Sequence, residues 1–313
     1  MNPIRSLYDR LPASFRSGLR SVVPDQLLRW YAHRNTDVYL ISYPKCGRTW
    51  LRLMIGRAIC RHFRLPETED VLFLRSNRRY HPQVPRLMVV HDNRPMLRTP
   101  QELETDKTRF RGKAVIFLVR DPRDVIVSSY FEMKKRGLLF GQNPYEQHSA
   151  TFDGSLPEFI QQRRGGFETI LAYYNLWAEN RHLPQDFLLV RYEDMQANPA
   201  GELRRVLDFL GLHSVSQDIL DEAVRYASFE NMRKMEAQGR FRHSMLNPAN
   251  PADQESYKTR KGKTGGYIEH LSPGEIEALN KKMDQELDPF FGYTSNGCVP
   301  LDATAVSSPF VIE

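Results

Sequence analysis

The sequence is poor in the residue patterns that hold metals or staples. Its nine histidines and three cysteines include no His-Glu-x-x-His and no Cys-x-x-Cys, which excludes the common zinc arrangements. The odd cysteine count, Cys46, Cys60 and Cys298, argues against a disulfide framework and for a reducing compartment. No apolar run approaches the ~20 residues of a membrane span, and the N-terminus lacks the apolar core of a signal peptide. Internal repeats and low-complexity tracts are also missing. One N-terminal pattern needs weighing: Arg5, Arg10, Arg16 and Arg20 interleave with Leu7, Leu11, Phe15 and Leu19 in the manner of a transit peptide. Asp9 and Pro12 interrupt it, which favours a plain docking helix.

What the chain has is positive charge, 44 Lys and Arg against 38 Asp and Glu, for a net +6 over 313 residues. A basic balance calls for an anionic partner. Arg75, Arg78, Arg79, Arg86, Arg94 and Arg98 flank His91, and one reading is a nucleic-acid-binding module. No recognisable reading motif accompanies them, and a cleft for a small, highly charged ligand explains the same excess.

The segment Val38-Tyr-Leu-Ile-Ser-Tyr-Pro-Lys-Cys-Gly-Arg-Thr-Trp50 reads as a buried strand, a loop and the start of a helix. Leu51, Met54, Ile55, Ala58 and Ile59 continue it as an apolar helical stripe, with Arg52, Arg57 and Arg61 off the stripe. Loop N–H groups and the positive helix end converge on one spot, and Lys45 and Arg48 add full charges. A phosphate or sulfate belongs there. A nucleoside-triphosphate loop needs Gly before the Lys and a hydroxyl after it; Pro44 and Cys46 stand in those places.

A second such unit follows. Ala114-Val-Ile-Phe-Leu-Val119 is a continuous apolar run, as expected in a parallel sheet covered on both faces. Asp121 suits a helix N-cap and Pro122 the first helical position. Arg120 then leaves the C-terminal edge of the sheet, where open α/β sheets bind ligands, and Ser128 lies about two turns beyond Asp121 on the same side of the helix. Both can hold a second anionic group.

These residues carry a family resemblance. Tyr43-Pro-Lys-Cys-Gly-Arg-Thr-Trp50 resembles the 5′-phosphosulfate loop of the sulfotransferases, and Arg120-Asp-Pro-Arg-Asp-Val-Ile-Val-Ser128 resembles their 3′-phosphate motif. Arg191-Tyr-Glu-Asp-Met195 is similar to the strand end that contributes to the adenine pocket, and Arg260-Lys-Gly-Lys-Thr-Gly265 to the late loop that closes on the 3′-phosphate. The four motifs occur in the family's order across roughly residues 38–293. The first two are specific, whereas the last two would be weak alone.

The resemblance implies a donor, 3′-phosphoadenylyl sulfate (PAPS), no metal, and transfer of its sulfuryl group to a hydroxyl or amine. It implies that Lys45 contacts the phosphosulfate and that Cys46, Gly47, Arg48 and Thr49 belong to the loop around the 5′-phosphate. Trp50 is expected to stack on adenine, with Tyr192 and Phe229 completing the nucleotide pocket. Arg120 and Ser128 are expected to hold the 3′-phosphate, joined by Arg260, Lys261 and Gly262. The expected catalytic set is His91, Lys45 and Ser128. His91 follows Leu87-Met-Val-Val90, a short strand, at the place where the family carries its base; Asp92 is the alternative base or the group that orients His91. In-line transfer of this kind resembles phosphoryl transfer, where positioning and charge stabilisation supply most of the catalysis.

Departures from the family pattern are informative. Cys46 and Arg48 replace residues that carry hydroxyls in the cytosolic eukaryotic members, Ala227 stands where those often have Thr, and Gly266-Tyr267 replaces Asp-Trp. These differences argue against the phenol and steroid group. Cys46, at a helix start beside Lys45, is expected to have a lowered pKa.

The expected architecture is one α/β domain with a central parallel sheet flanked by helices and a P-loop-kinase-like strand-loop-helix anion site. Residues 1–35 form a helical lead-in, 36–293 the sulfotransferase domain, and 294–313 a flexible tail. The 138–166 insertion, with Phe140, Tyr145 and Phe152, and the basic segment before His91 are expected to line the acceptor pocket. The acceptor is a small molecule or a glycan. No nucleic acid and no membrane insertion are expected, a homodimer is left open, and the expected location is cytoplasmic. A P-loop-like nucleotide kinase remains the competing enzyme, distinguished by dependence on magnesium.

Overall fold

The structure, a computed structural model, describes residues 25–66, 72, 74, 78, 80–140, 148–240, 246 and 248–299. The Arg-rich N-terminal stretch, Arg75, Arg79, Tyr145, the side chain of Phe140 and the segment beyond 299 lie outside the described residues. The chain divides at Asp37 into two units. In the first, helix α1 (Asp25–Arg34) ends with His33 and Arg34 in its last turn. The Thr36 hydroxyl donates to Ala32 O at 2.8 Å and closes that end.

The second unit is built on four parallel strands, β1 (Val38–Ser42), β2 (Leu87–Val90), β3 (Ala114–Val119) and, further on, β6 (Asp186–Arg191), in the order β2-β1-β3-β6. Every residue of β1 and β3 is buried, which is why both read as unbroken apolar runs. Between these strands run α2 (Arg48–His62), α3 (Pro122–Lys135), the short antiparallel pair β4 (Leu138–Phe140) and β5 (His148–Ala150), α4 (Leu156–Ile160) and α5 (Phe167–Glu179). After β6 come α6 (Tyr192–Ala197), α7 (Pro199–Phe209), α8 (Gln217–Tyr226), α9 (Phe229–Ala237) and α10 (Pro273–Glu286). A hairpin, β7 (Tyr293–Thr294) and β8 (Gly297–Cys298), follows.

Strand β1 sits between β2 and β3, so the chain leaves it toward one side of the sheet and leaves β3 toward the other. That makes β1/β3 the topological switch point, and the crevice at the C-terminal strand ends is the ligand position of such sheets. Because all four strands are parallel, the segments after Ser42, Val90, Val119 and Arg191 emerge at that one edge.

Helix α5 covers the sheet with an aromatic stripe. Tyr173, Tyr174 and Trp177 are buried, and Trp177 stacks on Phe117 with centroids 5.3 Å apart. Helix α2 differs from a one-faced helix: residues 51–60 are all buried. Arg52 and Arg57, off the apolar stripe, are therefore inside. The Leu72 carbonyl accepts from Arg52, and Glu222 of α8 pairs with Arg57 and Arg61.

The hairpin carries the described chain past Tyr293. Arg123 donates to Thr294 O (3.1 Å) and Ser295 O (3.3 Å), and Arg191 donates to Val299 O (2.6 Å). The Tyr293 hydroxyl donates to Glu193 at 2.6 Å. Residues 294–299, read from composition as part of a flexible tail, form this hairpin and accept these bonds, with Asn296, Cys298 and Val299 exposed.

Candidate active site

The turn from β1 into α2 is held by backbone geometry. Lys45 (φ 72°) and Gly47 (φ 88°) are both left-handed. Gly47 is the N-cap of α2 and brings no capping side chain, so the first-turn N–H groups keep their donors open, as an anion site requires. A Cβ at Gly47 would lie 2.5 Å from the Tyr192 ring; positive φ and close approach both demand glycine.

Cys46 corrects one expectation. Its side chain is buried, with the sulfur 3.3 Å from the Tyr174 hydroxyl. That hydroxyl already donates to Arg120 O (2.9 Å) and accepts from Arg120 N–H (3.0 Å), which leaves the thiol as donor. Burial pushes the thiol up to about 12, against the lowering by Tyr174, Arg120 and Arg48. Desolvation outweighs the helix end, and Cys46 is a packed thiol rather than a thiolate.

At the start of α3, Asp121 accepts from Arg123 N–H at 2.9 Å with Pro122 in the first turn, as the sequence predicts. Arg120 joins three parts of the chain. Its guanidinium lies 4.3 Å over the Tyr192 ring, pairs with Asp124 at 3.2 Å, and donates to Lys45 O (3.5 Å) and Lys263 O (2.8 Å). Ser128 and Glu132 stand one turn apart on α3 and line a recess with Lys45, Arg136, Lys258 and Arg260. Glu132 pairs with Lys45 at 2.6 Å and Arg136 at 3.3 Å. Burial alone would raise its carboxyl; Lys45, Lys258 and Arg136 outweigh burial and hold it at about 2.

The late loop is tied down by carboxylates that carry no motif. Asp124 accepts from Gly265 N–H (2.9 Å) and Tyr267 N–H (3.0 Å). Buried Glu236 accepts from Lys258 N–H (2.6 Å), Thr259 N–H (2.9 Å) and the Thr259 hydroxyl (2.6 Å). The residues expected around the nucleotide are linked by contacts. Trp50 meets Tyr192 edge-on at 5.7 Å, Gln196 donates to the Tyr192 hydroxyl (2.8 Å) and Gly262 O (2.9 Å), and the Phe229 ring lies against Gly262. Arg260 sits 4.1 Å over Phe131 beside Glu255. Lys261 is held by Glu269 and lies 3.1 Å from His270 Nε2.

His91 emerges after β2. Its Nδ1 lies 2.9 Å from Ser42 O; a carbonyl only accepts, so this partner assigns the proton to Nδ1 and the lone pair to Nε2. Burial, then the Arg48 charge, lowers its pKa well below the usual imidazole value, so the ring is neutral. Tyr173 donates to His91 O at 3.2 Å. Asp92, the alternative base, is buried and paired with Lys107 at 2.7 Å and with Arg109. Asp92, Asn93 and Arg94 are three consecutive left-handed residues, at φ 44°, 66° and 53°.

Sequence reading thus named Lys45, Arg48, His91, Arg120, Ser128 and Arg260 and missed Glu132, Gln196, Glu236 and Lys258. Glu132, four residues after Ser128, and Gln196, four residues after Tyr192, carried local signals on the same helix faces. Among the described residues, no group of three or more His, Cys, Asp or Glu could hold a metal ion, and no helix is long and apolar enough to cross a membrane.

The C-terminal strand edge at the β1/β3 switch point gathers the cations Lys45, Arg48 and Arg120 and a neutral imidazole, His91, the makings of a group-transfer site for an anionic ligand. The sulfotransferase domain family model matches residues 35–291, and the chain belongs to that family. It is 27% identical over 270 residues to cytosolic sulfotransferase 16 of Arabidopsis thaliana, covering 81% of this chain and 76% of the relative. Identity to flavonol 3-sulfotransferase of Flaveria bidentis is also 27%, over 278 residues (82% and 83%), as it is to an amine sulfotransferase of Oryctolagus cuniculus over 269 residues (82% of each). Among solved structures, a mouse sulfotransferase complexed with PAP matches with TM-score 0.52 and 19% identity, over 80% of this chain and 84% of that one. A retinol dehydratase in complex with retinol and PAP matches equally, at TM-score 0.52 and 19% identity over 81% and 82%. At that identity the likeness concerns the fold.

Proposed function

We propose that this enzyme moves the sulfuryl group of PAPS to a hydroxyl or amine of a small-molecule or carbohydrate acceptor, with His91 as general base. One observation carries the reading: Lys45 with the open first turn of α2, the Arg120–Ser128 unit, and neutral His91 lie at the same sheet edge. The residues suit the donor. Arg48 Nη1 and Arg120 Nε are buried nitrogens without a hydrogen-bond partner, at the two positions where phosphosulfate and 3′-phosphate oxygens would accept.

The acceptor O–H gives its proton to His91 Nε2 as its oxygen bonds to sulfur. The bond from sulfur to the bridging oxygen breaks, and the electron pair stays on the departing adenosine 3′,5′-bisphosphate. Lys45 exchanges Glu132 for that leaving oxygen, where charge develops. Arg120, Ser128 and Arg260 hold the 3′-phosphate, and Trp50, Tyr192 and Phe229 the adenine. The flavonol and amine relatives favour a small-molecule acceptor, and Phe152 with the arginines before His91 suits a ring bearing a polar group.

Screening acceptors with labelled PAPS tests the activity. Elution from an adenosine 3′,5′-bisphosphate column by the free bisphosphate supports the reading; release by salt alone would mark a nucleic-acid binder, and magnesium-dependent turnover a kinase. The name of the Arabidopsis relative supports a cytoplasmic location, which cell fractionation checks.

A further inference from the structure

Lys258 is a cation of this site that neither the motifs nor the mechanism above uses. It precedes Arg260 by two residues, and Glu236 fixes its backbone. Its neighbours are matched: Lys45 and Arg136 share Glu132, Arg260 pairs with Glu255 at 3.4 Å, and Lys261 and Lys263 share Glu269. The half-buried Lys258 ammonium lines the recess beside Lys45 and Glu132 and, among the described residues, has no carboxylate within ion-pair distance. Arg48 likewise leaves a buried nitrogen without a partner. Four cations therefore stand at this end, Lys45, Arg48, Arg136 and Lys258, against two carboxylates, Glu132 and Glu236. With Lys258 protonated the cations outnumber the carboxylates, a phosphosulfate would supply the missing counter-charge, and buried charge without a counterion is costly.

We propose that Lys258 is a catalytic residue of the sulfuryl transfer, donating to the phosphosulfate oxygens of the donor together with Lys45 and Arg48. This rests on the sulfotransferase reading of the site. The charge of Lys258 is felt by Glu132, Lys45, Arg136, Arg48 and His91, whereas Arg260 is coupled to Glu255, Arg120 and Asp124. Lys258 and Arg260 line one recess with Lys45 and Ser128, and these charge neighbours put Lys258 on its Lys45–Glu132 side. Lys258 keeps its proton through the reaction and only donates a hydrogen bond. Burial pushes it down to about 7 in the empty site. At pH 8 a bound dianion therefore draws a proton onto it from solution.

The test uses the full chain and three measurements. Calorimetry of PAPS binding without acceptor, at pH 8 in two buffers of different ionisation enthalpy, should show proton uptake in the unmodified enzyme and none in Lys258→Gln or Lys258→Arg. Lys258→Gln should lower kcat by roughly tenfold or more, and Lys258→Arg should recover most of it. Adenosine 3′-phosphate, which lacks the 5′ groups, should bind all three forms within about threefold, which also shows that the variants are folded. Turnover of Lys258→Gln within twofold of the unmodified enzyme overturns the proposal. So does proton uptake that persists in either variant, or a loss of adenosine 3′-phosphate affinity as large as the loss of turnover. If Lys258→Gln does not fold, the proton uptake of Lys258→Arg decides alone. An unmodified enzyme that does not bind PAPS would instead remove the sulfotransferase reading itself.

Discussion

At the scale of single residues, the proposed mechanism separates groups that hold the donor from groups that act as charge moves. Lys45 and His91 belong to the second kind. Lys45→Ala and His91→Ala should each lower kcat by roughly 10²-fold with a smaller effect on donor affinity. Steady-state kinetics with the donor Kd measured separately checks this; near-normal turnover in His91→Ala would hand proton removal to water. The pH dependence has a definite sign. As the proposed base, His91 works neutral and its pKa is lowered by burial and Arg48, so kcat/KM should hold constant as pH falls through the ordinary imidazole range and decline only below it. An acid limb centred near 6.5 or above would contradict the environment seen at His91. Turn and helix-start geometry was legible, because a left-handed Gly47 and an Asp121-Pro122 helix start are local features. The state of Cys46 was not: its proximity to Lys45 is written in the chain, but its burial against Tyr174, 128 residues away, is not.

At the scale of elements, strands β1 and β3 are placed within a residue of their apolar runs because burial on both faces leaves no polar interruption. Helix α2 shows the limit. Its apolar stripe was visible, yet Arg52 and Arg57 are buried to 7% and 6% exposure, since their acceptors arrive from Leu72 and from Glu222 on α8. The same holds for the late loop, whose anchors Asp124, Gln196 and Glu236 lie far from it in sequence. Glu236 gives the element-scale prediction. Glu236→Gln puts an amide donor where two backbone N–H groups and the Thr259 hydroxyl need acceptors, and it removes the charge facing Arg136 at 3.6 Å. Stability should fall by about 2–4 kcal/mol, read by urea unfolding, and bisphosphate affinity should fall with it. A variant as stable as the parent would show that the loop is held elsewhere.

At the scale of the whole molecule, the fold gathers residues from position 45 to position 260, and the proposed recognition of the 3′-phosphate depends on that gathering. Arg120, Ser128 and Arg260 come from two distant segments that the recess and the Arg120–Lys263 bond bring together. Hydrogen bonds to a charged group are worth roughly 1.5–3 kcal/mol each. Adenosine 5′-phosphosulfate, which lacks the 3′-phosphate, should therefore bind at least about 100-fold more weakly than PAPS. Arg120→Ala should erase most of that preference and Lys45→Ala should keep it; affinities within a few-fold in the unmodified enzyme would remove the role given to Arg120. The left-handed run at residues 92–94 bears on a different matter, how far the natural sequence stands from the most heat-resistant version of itself. Asp92 repays its backbone through Lys107 and Arg109, but exposed Arg94, at φ 53°, has no side-chain cap bond at the turn it starts. An engineer seeking a tougher catalyst would begin there. Arg94→Gly, relieved of a left-handed cost of about 1–2 kcal/mol and charged about 0.5–1 for added freedom of the unfolded chain, should raise the melting temperature by ~1–3 °C, whereas Asp92→Gly should lower it.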